Sequence, residues 1–270
     1  MFKPDRINIH ELTIEEPEKP SELPFDPERD ITEEDRAKME EWRKHHMKGN
    51  WQVVAEICAQ EKILGRAPEL TESDWEELRD ERENQFDRLG YMSLAEKARN
   101  EAIAGRTPKL SEEQWENIRK SREKDRLTPP KKGHHSFFAN LITSEAVLGR
   151  PPKLSEDDWK YLSECREKNK RSIGSLIEIL EAEAILGRKP ILDEDDWSFL
   201  KTEWEKHRND PAFDADFKFS WKSSLDIAAC MAVISADKIK IPKGGGLELI
   251  YNKKSIRGSQ TPPLPEIKKF

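Results

Sequence analysis

Four arginines recur at nearly regular intervals, and their chemistry makes them the first candidates for function. Each follows a glycine, in the pairs Gly65-Arg66, Gly105-Arg106, Gly149-Arg150 and Gly187-Arg188, and the arginines are 40, 44 and 38 residues apart. A guanidinium group binds carboxylates and phosphates through paired hydrogen bonds. If the segments that carry these arginines stack in a row, the side chains form a ladder along one edge. Such a ladder would bind an acidic protein or a nucleic-acid backbone.

A structural role for the same arginines is the alternative. An arginine at the end of a helix can bind the last carbonyl groups of that helix, or it can pair with acids that open a neighbouring helix, such as Glu72 and Asp157. Acids lie close to each arginine in the sequence. This proximity favours the structural role over the binding role.

The most basic stretch of the chain runs from Arg119 to His135 and includes Lys131 and Lys132. One interpretation of this stretch is a contact with nucleic acid or with an acidic partner. Glu123 and Asp125 interrupt it, however, whereas a phosphate-binding surface needs dense positive charge. The net charge of −7 also disfavours a nucleic-acid partner. We therefore expect a solvated helix end here and retain nucleic-acid binding as the alternative function.

Signatures of catalysis and of metal binding do not stand out in the sequence. We find no nucleophile elbow, zinc-protease helix, dinucleotide fingerprint or phosphate loop. The pairs His45-His46 and His134-His135 would point in different directions on a helix, and no cluster of Cys or carboxylates shares their spacing. We predict a non-enzymatic protein with no cofactor and no metal. An enzyme or inhibitor would need a site that converges from distant positions.

The elements that position the arginines belong to a repeat. The string from Ile63 to Trp75 recurs three more times, and a fainter copy begins at Ile31. Each copy has a helix-capping residue, an acid or amide three positions later and a leucine or isoleucine before the cap. A left-handed glycine and a proline then end the second helix of each of the first four units. The marker residues are Trp75, Trp115, Trp159 and Trp197 with Gly65, Gly105, Gly149 and Gly187. Five units of two helices follow, at residues 31–69, 70–109, 110–153, 154–191 and 192–241.

A comparison among the units predicts an ion pair between the two helices of each. An arginine stands seven residues after each tryptophan position and a glutamate four residues before each glycine, except in the fifth unit, where Trp204 and Met231 replace both. A half-buried charge is unfavourable without its partner, so a joint replacement indicates contact. The predicted pairs are Arg43 with Glu61, Arg82 with Glu101, Arg122 with Glu145 and Arg166 with Glu183.

Both ends of the chain differ from the repeat. Residues 1–30 are rich in Pro and Glu and predict an extended arm. Alternating residues at 238–241 and 247–249, on either side of a Gly-rich turn, predict a small β-hairpin. Residues 242–270 include the end of this hairpin and a tail. The Pro-rich stretch 261–265 has the composition of a docking peptide and equally that of a plain tail.

These features together predict an all-α protein, a tandem helix-pair array similar in plan to an α-solenoid. A charged fraction of 37% against 35% apolar suits an elongated stack. Three widely spaced cysteines suit a reducing compartment, and no stretch is apolar enough for a signal peptide or a membrane span. We therefore expect a soluble cytoplasmic scaffold or adaptor that binds a protein partner, as a subunit or regulator of a larger complex.

Overall fold

A computed structural model describes residues 25–128, 137–209 and 220–251, without the side chains of residues 85–92 and 220–222. These residues are mostly helical, with one two-stranded sheet, in agreement with the all-α prediction. The elements are α1 (Pro27–Asp30), α2 (Glu33–His46), α3 (Trp51–Ile63), α4 (Glu72–Ala104), α5 (Glu112–Arg126), α6 (Phe137–Val147), α7 (Glu156–Asn169), α8 (Ile173–Ile185), α9 (Glu194–Arg208), α10 (Ser220–Ser235), β1 (Lys238–Lys240) and β2 (Glu248–Ile250).

The first helix of every predicted unit begins with the same reciprocal cap. In α4, the Thr71 Oγ accepts a hydrogen bond from the Asp74 amide at 3.2 Å, and the Thr71 amide donates to the Asp74 carboxylate at 2.7 Å. The same box is present at the start of α2, α5, α7 and α9. Each box satisfies amides that the first helical turn leaves unpaired. Local sequence therefore sets these five helix starts.

In the first four units the second helix ends at a marker glycine, and these four helix ends have the same backbone geometry. The four marker glycines have φ between +86° and +129°, the left-handed region that favours glycine. The amide of the following arginine donates to the carbonyl of the glutamate five residues earlier, as from Arg66 to Glu61 at 2.8 Å and from Arg188 to Glu183 at 2.9 Å. This bond places each ladder arginine directly beside the end of its own helix.

Helix α4 covers both helices of the second predicted unit in one continuous helical stretch, where the sequence predicts two helices. Arg82 and Glu101 of this stretch nevertheless form a salt bridge. Nineteen residues along a straight helix would span about 28 Å, so the axis of α4 cannot be straight. The first and second parts of α4 therefore lie side by side, as the two helices of the other units do.

The second helices of the units pack on one another in chain order, and the last of them also packs on the first. Helix α3 packs on α4, α4 on α6, α6 on α8 and α8 on α10, and α10 packs in turn on α3. The Gln60 amide of α3 also donates to the Asp226 carboxylate of α10. An open row of units would leave α3 and α10 apart.

The first helices form a matching contact at two junctions. Arg126 of α5 approaches the capping acid Asp158 of α7 at 2.8 Å. Arg208 of α9, at the same position in the fifth unit, binds the capping acid Asp35 of α2 at 2.6 Å. The junction between the last unit and the first therefore uses the same pair of positions as the junction between the third and the fourth.

Residues 25–30 differ from the extended arm that the sequence predicts for residues 1–30. They include α1, which Asp26 caps by accepting from the Glu28 amide. Phe25 is 1% exposed and meets the Trp204 ring edge-on at 5.5 Å. The prediction was wrong for these residues because a single apolar side chain, with no helical period, gives no sign of its burial. Residues 1–24 and the Pro-rich stretch 261–265 lie outside the described residues.

The predicted hairpin is present at the other end of the described chain. Strands β1 and β2 pair antiparallel with Ile239 opposite Leu249. Their connecting turn lies against the ends of α4 and α6, where the Gly246 amide donates to the Val147 carbonyl at 2.8 Å. Leu247 is buried beside the second helices. None of the described helices combines the length and the apolar character that crossing a bilayer requires.

Replacing Gly245 with alanine should loosen this turn. A Cβ atom at Gly245 would lie 2.7 and 2.8 Å from the Thr107 side chain and 2.9 Å from the Val147 carbonyl, and its φ of +87° is strained for alanine. We expect a loss of about 1–3 kcal/mol in the free energy of unfolding, measured with urea. Gly244→Ala is the matched control, because no atom lies within 4 Å of that Cβ position. Equal stability of the two variants would contradict the packing described here.

Candidate functional site

Three of the ladder arginines bind an acid on the first helix of their own unit. Arg106 donates to both Glu72 carboxylate oxygens, at 2.9 and 2.5 Å. Arg150 binds Glu112 in the same way, at 3.2 and 2.6 Å. Arg66 binds Glu40 at 2.5 Å and the Arg36 carbonyl at 3.2 Å. Side-chain hydrogen bonds to these acids raise the pKa of Arg66, Arg106 and Arg150.

Three ladder arginines also stack on the tryptophan of their unit. The guanidinium carbon lies 4.9 Å from the Trp75 ring centre for Arg106, 4.6 Å from Trp115 for Arg150 and 5.2 Å from Trp159 for Arg188. Cations are attracted to the negative face of an aromatic ring. The first unit has Arg36 in the tryptophan position, and there Arg66 contacts the backbone and Glu40 instead.

Arg188 is the ladder arginine with the weakest acid contact. Its nearest approach to Glu156 is 3.9 Å, and its side chain is 57% exposed. The pairings of the other three supply the structural role that the sequence favours for the ladder, and they leave those arginines less able to bind phosphates. Lys131 and Lys132, the other basic candidates, lie outside the described residues.

The predicted interhelical ion pairs are in contact in all four units. Arg43 lies 3.0 Å from Glu61, Arg122 2.5 Å from Glu145 and Arg166 2.7 Å from Glu183, and Arg82 meets Glu101. Burial raises the pKa of each glutamate, against the opposing effect of its arginine. These pairs join the first and second helices of a unit and are structural.

A surface groove of about 520 Å³ adjoins the end of α8 and the loop that follows it. Trp159 and Arg188 line it together with the Arg166–Glu183 pair and the loop residues Pro190 and Ile191. A second groove of about 230 Å³ shares Arg166 and Ile191 with the first. A ladder arginine, a repeat tryptophan and an interhelical ion pair therefore line this groove together.

Ile191 stands between the two grooves and is 91% exposed. The corresponding positions of the other four units, directly before the leucine or isoleucine that precedes the helix cap, hold charged residues: Asp30, Glu69, Lys109 and Lys153. An isoleucine side chain gains about 1.5–3 kcal/mol when it is taken out of water. The groove therefore combines an exposed apolar side chain, an aromatic ring and the weakly paired Arg188. We call this surface, made of Trp159, Arg188, Pro190 and Ile191, the fourth-unit groove.

A second polar region lies among the second helices. A cavity of about 60 Å³ is lined by residues of α3, α4, α6, α8 and α10 and by Leu247 of the hairpin. Five of the lining residues occupy one equivalent position, six residues before each marker glycine and before Ser235. They are Ala59, Arg99, Thr143, Glu181 and Ala229. The same position of all five second helices therefore borders one cavity.

Burial raises the pKa of Glu181 from 4.5 to about 7, and Arg99 partly opposes the increase. The other ionisable groups around this carboxyl are Glu56 on α3 and Asp226 and Cys230 on α10. The lining residue of α6, Thr143, adds no charge. Glu181 therefore keeps its proton up to a higher pH in the folded protein than in the unfolded chain.

The stability contribution of Glu181 should fall as pH rises. Its pKa is raised on folding, so folding is favoured most below the unfolded value of about 4.5 and loses this contribution as pH rises to about 7. As the pH rises from about 4.5 to 8, the free energy of unfolding of Glu181→Gln should increase by about 2–3 kcal/mol relative to that of the wild type. Urea unfolding across this range measures the difference. Glu113→Gln, on an exposed surface, should show no such trend, and a flat profile for Glu181→Gln would contradict the assignment.

No group of three or more His, Cys, Asp or Glu side chains is placed to hold a metal ion within the described ranges. Comparisons of the chain with protein-family models, curated proteins and solved structures found no match.

Two features of the candidate sites escaped the sequence analysis. Ile191 differs in character from Glu69, Lys109 and Lys153, so a comparison of equivalent positions could have identified it. The cavity residues could not be found in that way, because alanine, arginine, threonine and glutamate share no chemistry. Only the packing of the five helices brings them together.

Proposed function

We propose that this protein is a non-enzymatic scaffold or adaptor that binds a protein partner at the fourth-unit groove. The observation that carries the proposal is the 91% exposure of Ile191 between two grooves. Isolated exposed apolar residues are common on monomers. Here, however, the residue borders concave surfaces with an aromatic ring and a cation, the combination from which the energetic centre of a protein interface is usually built.

We infer further that the five helix pairs form a closed repeat array. Three contacts support closure: the packing of α10 on α3, the hydrogen bond from Gln60 to Asp226, and the Arg208–Asp35 pair. In a closed array every unit has two neighbours, so no apolar helix face is left at an end. The loops between the helices are then held in fixed positions at the surface, and Ile191 is available to a partner in one orientation.

The partner we expect presents an apolar side chain next to a carboxylate. The apolar group would pack on Ile191, Pro190 and the Trp159 ring. The carboxylate would bind Arg188, whose own acid lies 3.9 Å away and competes weakly. A nucleic-acid backbone fits this surface less well, because Glu156 and Glu164 also line the groove. The buried free cysteines Cys58, Cys165 and Cys230 suit the reducing interior of the cytoplasm.

A site-specific photocrosslinker tests the proposal in the native host. Placed at position 191 of the full chain, it should give one adduct of discrete mass that contains a partner protein. Position 127 is the matched control, because Leu127 is 82% exposed and lies apart from the groove. A crosslinker there should not give that adduct.

Two charge variants sharpen the result. Arg188→Glu should abolish the adduct formed from position 191, whereas Arg106→Glu, at the equivalent position of the second unit, should leave it. No adduct at position 191, or the same set of adducts at positions 191 and 127, would refute binding at the fourth-unit groove.

A further inference from the structure

The fifth unit keeps two of the three groups that meet around an arginine in the second, third and fourth units. In those units the guanidinium carbon lies 4.6 to 5.2 Å from the centre of the tryptophan ring. The glutamate three residues before that tryptophan approaches the same guanidinium at 2.5, 2.6 and 3.9 Å. The fifth unit has Trp197 and Glu194 at these two positions, but the arginine position, five residues after Met231, holds Ala236. It therefore has the acceptors for an arginine without the arginine.

The backbone places these two acceptors as it does in the other units. Helix α9 begins with the same reciprocal cap as α4, α5 and α7. Glu194 and Trp197 are the first and fourth residues of α9, as Glu72 and Trp75 are of α4. Residues three apart on a helix are neighbours on one face. Because the same cap sets the first turn, the fifth unit presents its carboxylate and its indole ring side by side.

The two acceptors are available to an external cation. Glu194 is exposed and Trp197 is half-buried. In the part of the chain that the structure describes, no cation stacks on the Trp197 ring and no basic side chain pairs with Glu194. Lys189, in the loop before α9, donates instead to the Ala236 carbonyl at 3.1 Å. The negative face of the ring and the carboxylate both attract positive charge.

The repeat also indicates which cation fits. A planar guanidinium can lie on an indole ring while its N–H groups reach a carboxylate, whereas the compact ammonium group of lysine cannot make both contacts in this way. In the other units the guanidinium belongs to a polypeptide. Free arginine carries its own carboxylate, which the exposed acids Glu194 and Asp195 would repel. An arginine within a polypeptide has no such group, so a protein is favoured over the amino acid.

We propose that Trp197 and Glu194 form a docking site for an arginine side chain of a protein partner. The arginine of the partner would take the place that Arg106, Arg150 and Arg188 take in their own units, stacked on the ring and bound to the carboxylate. The site lies on a different unit from the fourth-unit groove, and its test does not depend on binding there.

Nuclear magnetic resonance of the ¹⁵N-labelled full chain tests the proposal. The indole N–H signal of Trp197 is identified by its loss in the Trp197→Leu variant. N-acetyl-arginine amide, added at constant ionic strength, should shift this signal along a saturating curve with a Kd of about 10–100 mM. The uncharged citrulline analogue should not shift it. The lysine analogue and free arginine should each bind at least threefold more weakly, and equal or tighter binding of either would contradict the choice of a polypeptide arginine.

Three variants locate the binding. Glu194→Gln should weaken it at least threefold, whereas Asp195→Asn, which removes the adjoining exposed acid, should change Kd less than twofold. Arg106→Ala empties the equivalent site of the second unit, so the Trp75 signal, unresponsive in the wild type, should then respond to the probe. Equal shifts with the citrulline analogue, an unchanged Kd for Glu194→Gln, or a Trp75 signal that stays unresponsive in Arg106→Ala would overturn the proposal.

Discussion

Replacing Arg43 with methionine should destabilise the protein by about 3–5 kcal/mol. Its partner Glu61 is 0% exposed, and the two charges lie 3.0 Å apart between α2 and α3. The substitution leaves the Glu61 carboxylate buried without a compensating charge. The free energy of unfolding in urea at neutral pH measures the loss. The loss should shrink as the pH falls, because a protonated Glu61 has no charge to bury.

The double variant Arg43→Met with Glu61→Met is the decisive control. The fifth unit already has two apolar residues, Trp204 and Met231, at these positions. Apolar replacement of a whole buried pair is often neutral or stabilising. We therefore expect the double variant to recover stability to within about 1 kcal/mol of the wild type. A double variant less stable than Arg43→Met alone would show that the pair does not act through its charges.

Replacing Phe25 with alanine should cost about 3–5 kcal/mol. Phe25 is 1% exposed and packs edge-on against Trp204 of α9, so the substitution opens a cavity beside the last helix pair. The same urea measurement reports the loss. Leu127→Ala removes a comparable apolar side chain that is 82% exposed, and it should change stability by less than about 0.5 kcal/mol. Similar small effects of both substitutions would contradict the burial of Phe25.

Helix starts and ends could be predicted from sequence because their causes are local. Thr71 and Asp74 bind each other across one helical turn, and Gly65 supplies the backbone conformation that ends α3. The Arg–Glu pairs are not local, yet they were predictable. The repeat supplies five versions of the same contact, and Trp204 and Met231 show that both members change together.

The contacts between the last helices and the first gave no local signal in the sequence. They join residues from opposite ends of the chain, and no short stretch of sequence encodes such a contact. Arg208 and Asp35 are 173 residues apart in the chain. The equivalence of this pair to Arg126 with Asp158 can be recognised only once the fold is known. The burial of Phe25 is also long-range, since its partner Trp204 belongs to the last helix pair.

The distance between the first and last units tests the central claim of a closed array most directly. Spin labels on cysteines introduced at the exposed positions Glu34 of α2 and Glu205 of α9 report it in solution, since the three native cysteines are buried. Neighbouring helices pack about 10 Å apart, so a closed array predicts one narrow distribution below about 25 Å with the lengths of the labels included. An open row of five units would place the labels beyond about 40 Å, and a distribution centred there would contradict closure.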